Sequence, residues 1–154
     1  MVKPYGHDIK QRTFIAAPIE RVFATITSAD GWDAFFTTGM ELEPTPGGRC
    51  NFTWKDWGPD HYTHKAEGEV VKIVPPRLFS FRWYPIEPEQ PTIIRFDLTD
   101  EFGGTVVTLT ESGYTDSGQS KKMILECSSG WGEALTLLKF YLEHGVVYTQ
   151  PRRD

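Results

Sequence analysis

The end of the chain reads, from Met123 to His144, MILECSSGWGEALTLLKFYLEH. Within this stretch apolar residues recur at the spacing that collects side chains on one face of a helix. The stripe consists of Ile124, Trp131, Leu135, Leu138 and Leu142, with Ala134, Leu137 and Tyr141 beside it. Gly145 follows, which is a common residue at the end of a helix. The pattern predicts a long amphipathic helix whose apolar face needs a partner surface.

The middle of the chain predicts that partner surface, because its apolar residues alternate with polar ones. Turns rich in glycine and proline separate six predicted strands, which run from Met40 to Glu43, Arg49 to Lys55, Tyr62 to Val74, Leu78 to Tyr84, Thr92 to Thr99 and Thr105 to Ser112. Connections this short favour antiparallel pairing. The alternation puts these residues on one apolar face: Cys50, Phe52, Trp54, Phe79, Phe81, Trp83, Ile94, Phe96 and Leu98. The opposite face, which is predicted to be solvent-exposed, carries Arg49, Arg82, Arg95 and Asp97.

Upstream of this sheet, the chain predicts one further strand and two short helices. The strand runs from Asp8 to Ile15, and Pro18 then suits the first turn of a helix. Ser28 can cap a second helix that ends at Gly39. The fold class is therefore α+β. We expect one domain over residues 1–154, with its core at about residues 8–145, in which a curved antiparallel sheet of about seven strands wraps around the C-terminal helix.

Composition excludes several classes of function. The 154 residues carry a net charge of −5, which repels nucleic acid. Two cysteines, Cys50 and Cys127, are too few for a disulfide framework, and we expect both to be reduced. The first residues contain no apolar stretch that would predict a signal peptide or membrane insertion. Cytoplasmic localisation is the resulting expectation, and no motif predicts a cofactor.

Several short motifs, taken in order, resemble one known family. They are residues 17–23 (APIERVF), 47–49 (GGR), 68–70 (GEV), 75–78 (PPRL), 81–83 (FRW), 107–113 (VTLTESG) and 130–131 (GW). Together they resemble the domain named after the activator of the 90-kDa heat-shock-protein ATPase, the AHSA-type domain of the START-like (SRPBCC) superfamily. The resemblance extends roughly from Asp8 to Glu143 and implies the helix-grip fold.

The resemblance implies a fold more than a function. Proteins similar to this one include lipid and polyketide binders, aromatase-cyclases, hormone receptors, resistance proteins and a co-chaperone domain. A chaperone partner is therefore one implied possibility. The co-chaperone also uses a second, N-terminal domain, for which we expect no room in this chain. An exposed edge strand or an apolar pocket rim would support a homodimer.

The aromatic residues of the inner face predict a binding site for a small hydrophobic or aromatic molecule. Ten Phe, six Tyr and five Trp are many for this length, and they either fill a core or line a cavity between the sheet and the helix. The predicted ligand-binding residues are Phe52, Trp54, His64, Phe79, Phe81, Trp83, Ile94, Phe96, Glu111, Trp131, Leu135 and Leu138.

An enzyme of cyclase or lyase type is the alternative, with His64 or Glu111 moving a proton. The other interpretation of His64 is a purely structural role. Strand spacing puts it on the opposite face from His61, so the two cannot form a metal site by themselves. Alternation places the Glu111 carboxylate on the apolar face, where it could also reach solvent or pair with a basic neighbour. Gly130 and Gly132 flank Trp131, either for close approach of a strand or to leave room for a ligand.

Overall fold

The computed structural model describes residues 4–86 and 90–148, and these form eight strands and three helices. In chain order the elements are β1 (Ile9–Ile15), α1 (Ile19–Ile26), α2 (Ala29–Phe35), β2 (Glu41–Leu42), β3 (Cys50–Trp57), β4 (Tyr62–Ala66), β5 (Gly68–Val74), β6 (Leu78–Ile86), β7 (Gln90–Glu101), β8 (Gly104–Ser112) and α3 (Gly118–His144). The predicted turn between the fourth and fifth predicted strands, at residues 85–91, lies partly outside the described residues.

The strands form two antiparallel sheets. Five strands follow the order β1-β8-β7-β6-β5, and three follow the order β2-β3-β4. Backbone hydrogen bonds from the Gly47 amide to the Val70 carbonyl and from the Val70 amide to the Gly48 carbonyl join the turn before β3 to β5. The predicted α+β architecture, with an antiparallel sheet and a long C-terminal helix, is confirmed.

The predicted strand from Tyr62 to Val74 is wrong, because the chain changes sheets in its middle. Ala66 still pairs with Phe52 on β3, whereas Gly68 pairs with Trp83 on β6. A Cβ atom at Gly68 would lie 2.6 Å from the Arg82 carbonyl oxygen, so only glycine fits where the chain crosses over. One predicted strand therefore becomes two, β4 and β5.

Both ends of α3 are capped by side chains or backbone that suit a helix terminus. The helix begins five residues before the predicted start, because Ser117 Oγ accepts a 3.0 Å hydrogen bond from the Ser120 amide. It ends at His144 as predicted, with Gly145 in the left-handed region at φ 69°. The predicted stripe is buried from Trp131 to Leu142, while Ile124 is only half-buried.

The second short helix ends earlier than predicted. Ser28 caps it as expected, accepting a hydrogen bond from the Gly31 amide. The helix stops at Phe35 and not at Gly39, because the amides of Phe36 and Thr37 both donate to the Trp32 carbonyl and turn the chain away. This turn brings the Phe36 side chain towards β3.

The apolar faces of sheet and helix meet as the alternation predicts. Every residue predicted for the inner face is buried, and Arg49 and Arg95 on the other face are exposed. Phe52 lies at the centre, with ring centroids 5.2 Å from Phe81 and 5.0 Å from Trp32. Of the helices in the described residues, none combines the length and apolar character needed to span a bilayer.

Candidate functional site

A cleft of about 700 Å³ opens between the β3–β4 hairpin and the first half of α3. Aromatic side chains contributed by four different elements form much of its wall. The residues that line it are Phe36, Trp54, Trp57, Gly58, Pro59, Asp60, Tyr62, Trp83, Met123, Leu125, Glu126, Cys127, Ser129, Gly130, Trp131 and Glu133. Its volume falls in the range of about 300–1,000 Å³ that is typical of sites for small molecules.

A β-bulge brings Trp54 and Trp57 to the same cleft. Residues three apart on a regular strand point to opposite faces. Here Trp54 pairs with His64 and Trp57 pairs with Tyr62, so β3 has one residue more than β4 between the two pairs. Asp56 absorbs this extra residue with φ 53°. Both indole rings then pack against Phe36, at centroid distances of 5.5 Å.

A buried carboxylate joins two of the lining tryptophans. Glu111 Oε1 accepts a 2.9 Å hydrogen bond from Trp131 Nε1, and Oε2 accepts one of the same length from Trp83 Nε1. Thr92 Oγ1 also donates to Oε2. The carboxylate thus connects β6, β7 and β8 to α3. It holds the two indole rings 5.2 Å apart at the inner end of the cleft.

This arrangement corrects the expected surroundings of Glu111. Its predicted position on the apolar face is confirmed, but its carboxylate neither reaches solvent nor pairs with a basic residue, because it is 0% exposed and bonded to neutral donors. Trp N–H groups need partners when they are buried. Two inward tryptophans near an inward glutamate were therefore the signal that could have predicted the contact.

Thiol and phenol groups near Glu111 resist ionisation. Burial, with a smaller contribution from the negative charge of Glu111, raises the pKa of Cys127 to about 12. Burial is also the main reason why the pKa of Tyr114 lies well above its usual range, with the charge of Glu111 adding to it. Cys127 lines the cleft, so its side chain acts there as a neutral and apolar group.

Three of the predicted binding residues line the cleft: Trp54, Trp83 and Trp131. The others predicted on the inner face lie in the packed core instead, namely Phe52, Phe79, Phe81, Ile94, Phe96, Leu135 and Leu138. Side chains therefore fill the space between the sheet and the apolar stripe of α3 from Trp131 to Leu142, where we expected a cavity. The open space lies towards the start of α3 instead. That any of these predicted residues binds a ligand stays a prediction.

His64 lies outside the cleft. Its side chain is exposed on β4, with its ring centroid 6.5 Å from that of Trp54 and 6.0 Å from that of Tyr62. His61 belongs to the turn before β4, where it contacts Asp56. The prediction that both histidines lie on one strand is therefore wrong. Within residues 4–86 and 90–148, no three His, Cys, Asp or Glu side chains come together as metal ligands.

The sequence did not predict much of the cleft wall. Phe36 follows a helix end that local spacing misplaced, and Trp57 follows a bulge that breaks the alternation. Tyr62 and the first half of α3 come to the same cleft only through the tertiary fold. The turn between the second and third predicted strands, which includes residues 57–60, carried one signal, since turns lie at the surface and often bear functional residues.

The two glycines beside Trp131 differ in the space around them, and a pair of alanine variants tests the consequence for stability. A Cβ atom at Gly130 would meet no atom within 4 Å, whereas at Gly132 it would lie 3.1 Å from Gln11 Oε1. We expect Gly130→Ala to raise the free energy of unfolding by up to about 1 kcal/mol through helix propensity, measured by urea denaturation. The free energy of unfolding should rise clearly less for Gly132→Ala, because the new methyl group would crowd Gln11. Equal gains would show that the Gln11 contact does not restrict Gly132.

One family model matches most of the chain. The family described as "Activator of Hsp90 ATPase homolog 1-like protein" (AHSA1) matches residues 16–143. The chain belongs to this family. The match covers every residue that lines the cleft. The motifs that carried the resemblance supply three of the residues in the buried network, because FRW contains Trp83, VTLTESG contains Glu111 and GW contains Trp131.

Solved structures share the fold of this AHSA1 chain. SSP2350 from Staphylococcus saprophyticus superposes with a TM-score of 0.74 at 23% identity, covering 94% of this chain and 98% of that one. The Aha1 dimer from Colwellia psychrerythraea gives 0.75 at 21% identity, covering 90% and 98%. CalU16 from Micromonospora echinospora gives 0.71 at 21% identity, covering 92% and 76%. No curated protein matches the sequence.

Proposed function

We propose that this protein binds a small hydrophobic or aromatic molecule in the cleft between the β3–β4 hairpin and α3. The observation that carries the proposal is a cleft of about 700 Å³ lined by six aromatic side chains. Burying apolar surface contributes about 25 cal/mol per Å² before the cost of ordering the ligand. A flat apolar molecule would gain most from such walls.

Fixed walls support binding because little side-chain entropy is lost when a ligand enters. Five of the six aromatic side chains are buried and packed against neighbouring rings: Phe36, Trp54, Trp57, Trp83 and Trp131. Tyr62 is the exception, with 48% of its surface exposed. The cleft therefore combines a rigid wall with one adjustable residue at its edge.

The cyclase- or lyase-type alternative loses the residues to which it assigned proton transfer. Neither His64 nor Glu111 is among the residues that line the cleft. Glu111 is enclosed by the three groups that donate to it, which leaves it no direct contact with a bound molecule. The geometry therefore favours binding over catalysis by these residues.

A chaperone-associated role is a second candidate, supported by the family description and by the similar Aha1 dimer. Both observations concern relatives and not a surface of this chain. The direct test adds the purified protein to Hsp90 and measures the ATPase rate. An unchanged rate would count against this candidate and leave the cleft proposal untouched.

Titration with the neutral dye N-phenyl-1-naphthylamine tests ligand binding. We expect saturable fluorescence enhancement with folded protein, because the dye is apolar and fits a site of this size. Ser129→Trp should abolish the enhancement by placing an indole at the cleft wall, since Ser129 is an exposed residue that lines it. Gln119→Trp is the matched control, exposed on the same helix but outside the cleft. Equal binding by both variants would place the dye elsewhere and contradict the proposal.

A further inference from the structure

Aromatic rings line much of the cleft. Indole, phenol and phenyl rings carry negative charge on their faces, and a cation within about 6 Å of a ring centroid is attracted by it. The rings of Trp54 and Tyr62 pack against each other on one side, at a centroid distance of 5.6 Å, and those of Trp83 and Trp131 pack at 5.2 Å at the inner end. Trp is the strongest partner for a cation among these residues, and four of the six rings are Trp.

The charged residues of the cleft are all acidic. Asp60 lies in the turn of the hairpin, and Glu126 and Glu133 lie two helical turns apart on α3. All three are exposed and line the cleft from its two sides. Among the described lining residues none is Lys, Arg or His. The net charge of −5 adds a weaker attraction for cations at long range.

The pKa shifts of two lining residues also indicate that the cleft has a negative electrostatic environment. Burial is the main reason why the pKa of Tyr62 is raised, and the negative charge of Glu126 adds to it. Glu126 also adds to the raised pKa of Cys127. A group that becomes negative inside this cleft is therefore disfavoured twice, by loss of water and by its neighbours. For a positive group the neighbours act in the opposite direction.

We propose that the cleft selects a small aromatic cation, a flat hydrophobic molecule with a quaternary or protonated ring nitrogen, over neutral and anionic molecules of the same shape. The inference rests on the proposed ligand-binding function and adds the charge of the ligand to it. Aromatic walls bind the body of the molecule and its positive charge, and the acidic rim attracts that charge. Molecules with a carboxylate head group, such as fatty acids, are disfavoured.

A set of matched probes tests the selection. 1-Methylquinolinium and 4-methylquinoline have the same number of non-hydrogen atoms, and only the first is charged at neutral to slightly basic pH. Naphthalene-1-sulfonate is the anionic probe. Each displaces N-phenyl-1-naphthylamine from the protein, and the dissociation constant is obtained from the competition curve. We expect the cation to bind about 5- to 10-fold more tightly than the neutral probe at low salt, and the anion to bind most weakly.

Neutralising the acidic rim separates its effect from that of net charge. In the variant Asp60→Asn/Glu126→Gln/Glu133→Gln the preference for the cation should fall by about 2- to 5-fold, with the neutral probe unchanged, because these exposed carboxylates are screened and each contributes modestly. The control Glu67→Gln/Glu69→Gln/Asp100→Asn removes three exposed carboxylates away from the cleft and should keep the preference.

The outcomes distinguish this inference from the proposal on which it rests. If neither the dye nor any probe binds, the ligand-binding function itself is wrong. If the dye and 4-methylquinoline bind but 1-methylquinolinium binds no more tightly, the cleft binds ligands without selecting cations, and the inference is overturned. Equal loss of preference in the rim variant and its control would assign the effect to net charge and overturn the role of the rim.

Discussion

Replacing Glu111 with alanine is expected to lower the free energy of unfolding by about 3–5 kcal/mol. The substitution leaves the indole N–H groups of Trp83 and Trp131 and the Thr92 hydroxyl without their shared acceptor. Each buried donor left unsatisfied costs about 1–3 kcal/mol. Part of that loss is offset because a buried carboxylate no longer has to be desolvated. Urea denaturation followed by circular dichroism measures the change.

Glu111→Gln keeps the volume and one acceptor oxygen, and it remains measurable if the alanine variant does not fold. We expect a loss of about 1–3 kcal/mol, because the new NH₂ group faces N–H donors. Glu133→Ala is the control on the surface of α3 and should change stability by less than about 0.5 kcal/mol. A loss below about 1 kcal/mol for Glu111→Ala would show that the network does not hold the sheet to the helix.

The overall fold could be predicted from the sequence because it depends on periodicities that local patterns reveal. The nine residues that alternation assigned to the inner face of β3, β6 and β7 are all buried, and the spacing of Trp131, Leu135 and Leu142 located the buried face of α3. The change of sheets at Gly68 could not be predicted, because alternation continues unbroken through it. Only the contacts of Gly68 with two other strands reveal why the chain separates there.

The candidate site was predicted less well, because a cleft depends on which elements fail to meet. The sequence showed that Phe81 and Trp83 point inward, but not that one is enclosed and the other lines open space. The bulge at Asp56 and the early end of α2 each moved an aromatic ring into the wall. The position of Glu111 could be predicted from alternation, whereas its partners lie on three other elements.

The boundary between packed core and cleft predicts a contrast between Phe81 and Tyr62. Phe81 is 0% exposed, and its ring centroid lies 5.2 Å from Phe52 and 5.6 Å from Phe79. We expect Phe81→Ala to lower the free energy of unfolding by about 3–5 kcal/mol, because the surrounding rings cannot close the space that it leaves. Phe81→Leu should cost clearly less and keeps the comparison measurable if the alanine variant unfolds. Urea denaturation measures both.

Tyr62→Ala is expected to have the opposite pattern. Its half-exposed ring contacts Trp54 at the edge of the cleft, so its loss should cost less than about 1.5 kcal/mol of stability. It removes one wall for the ligand, and we expect the affinity for N-phenyl-1-naphthylamine to fall about 3- to 10-fold. A small loss of stability for Phe81→Ala would mean that the space beneath the helix is not filled. Unchanged dye affinity for Tyr62→Ala would remove the hairpin from the binding site, since Tyr62 is the most exposed aromatic residue that the hairpin contributes to the cleft.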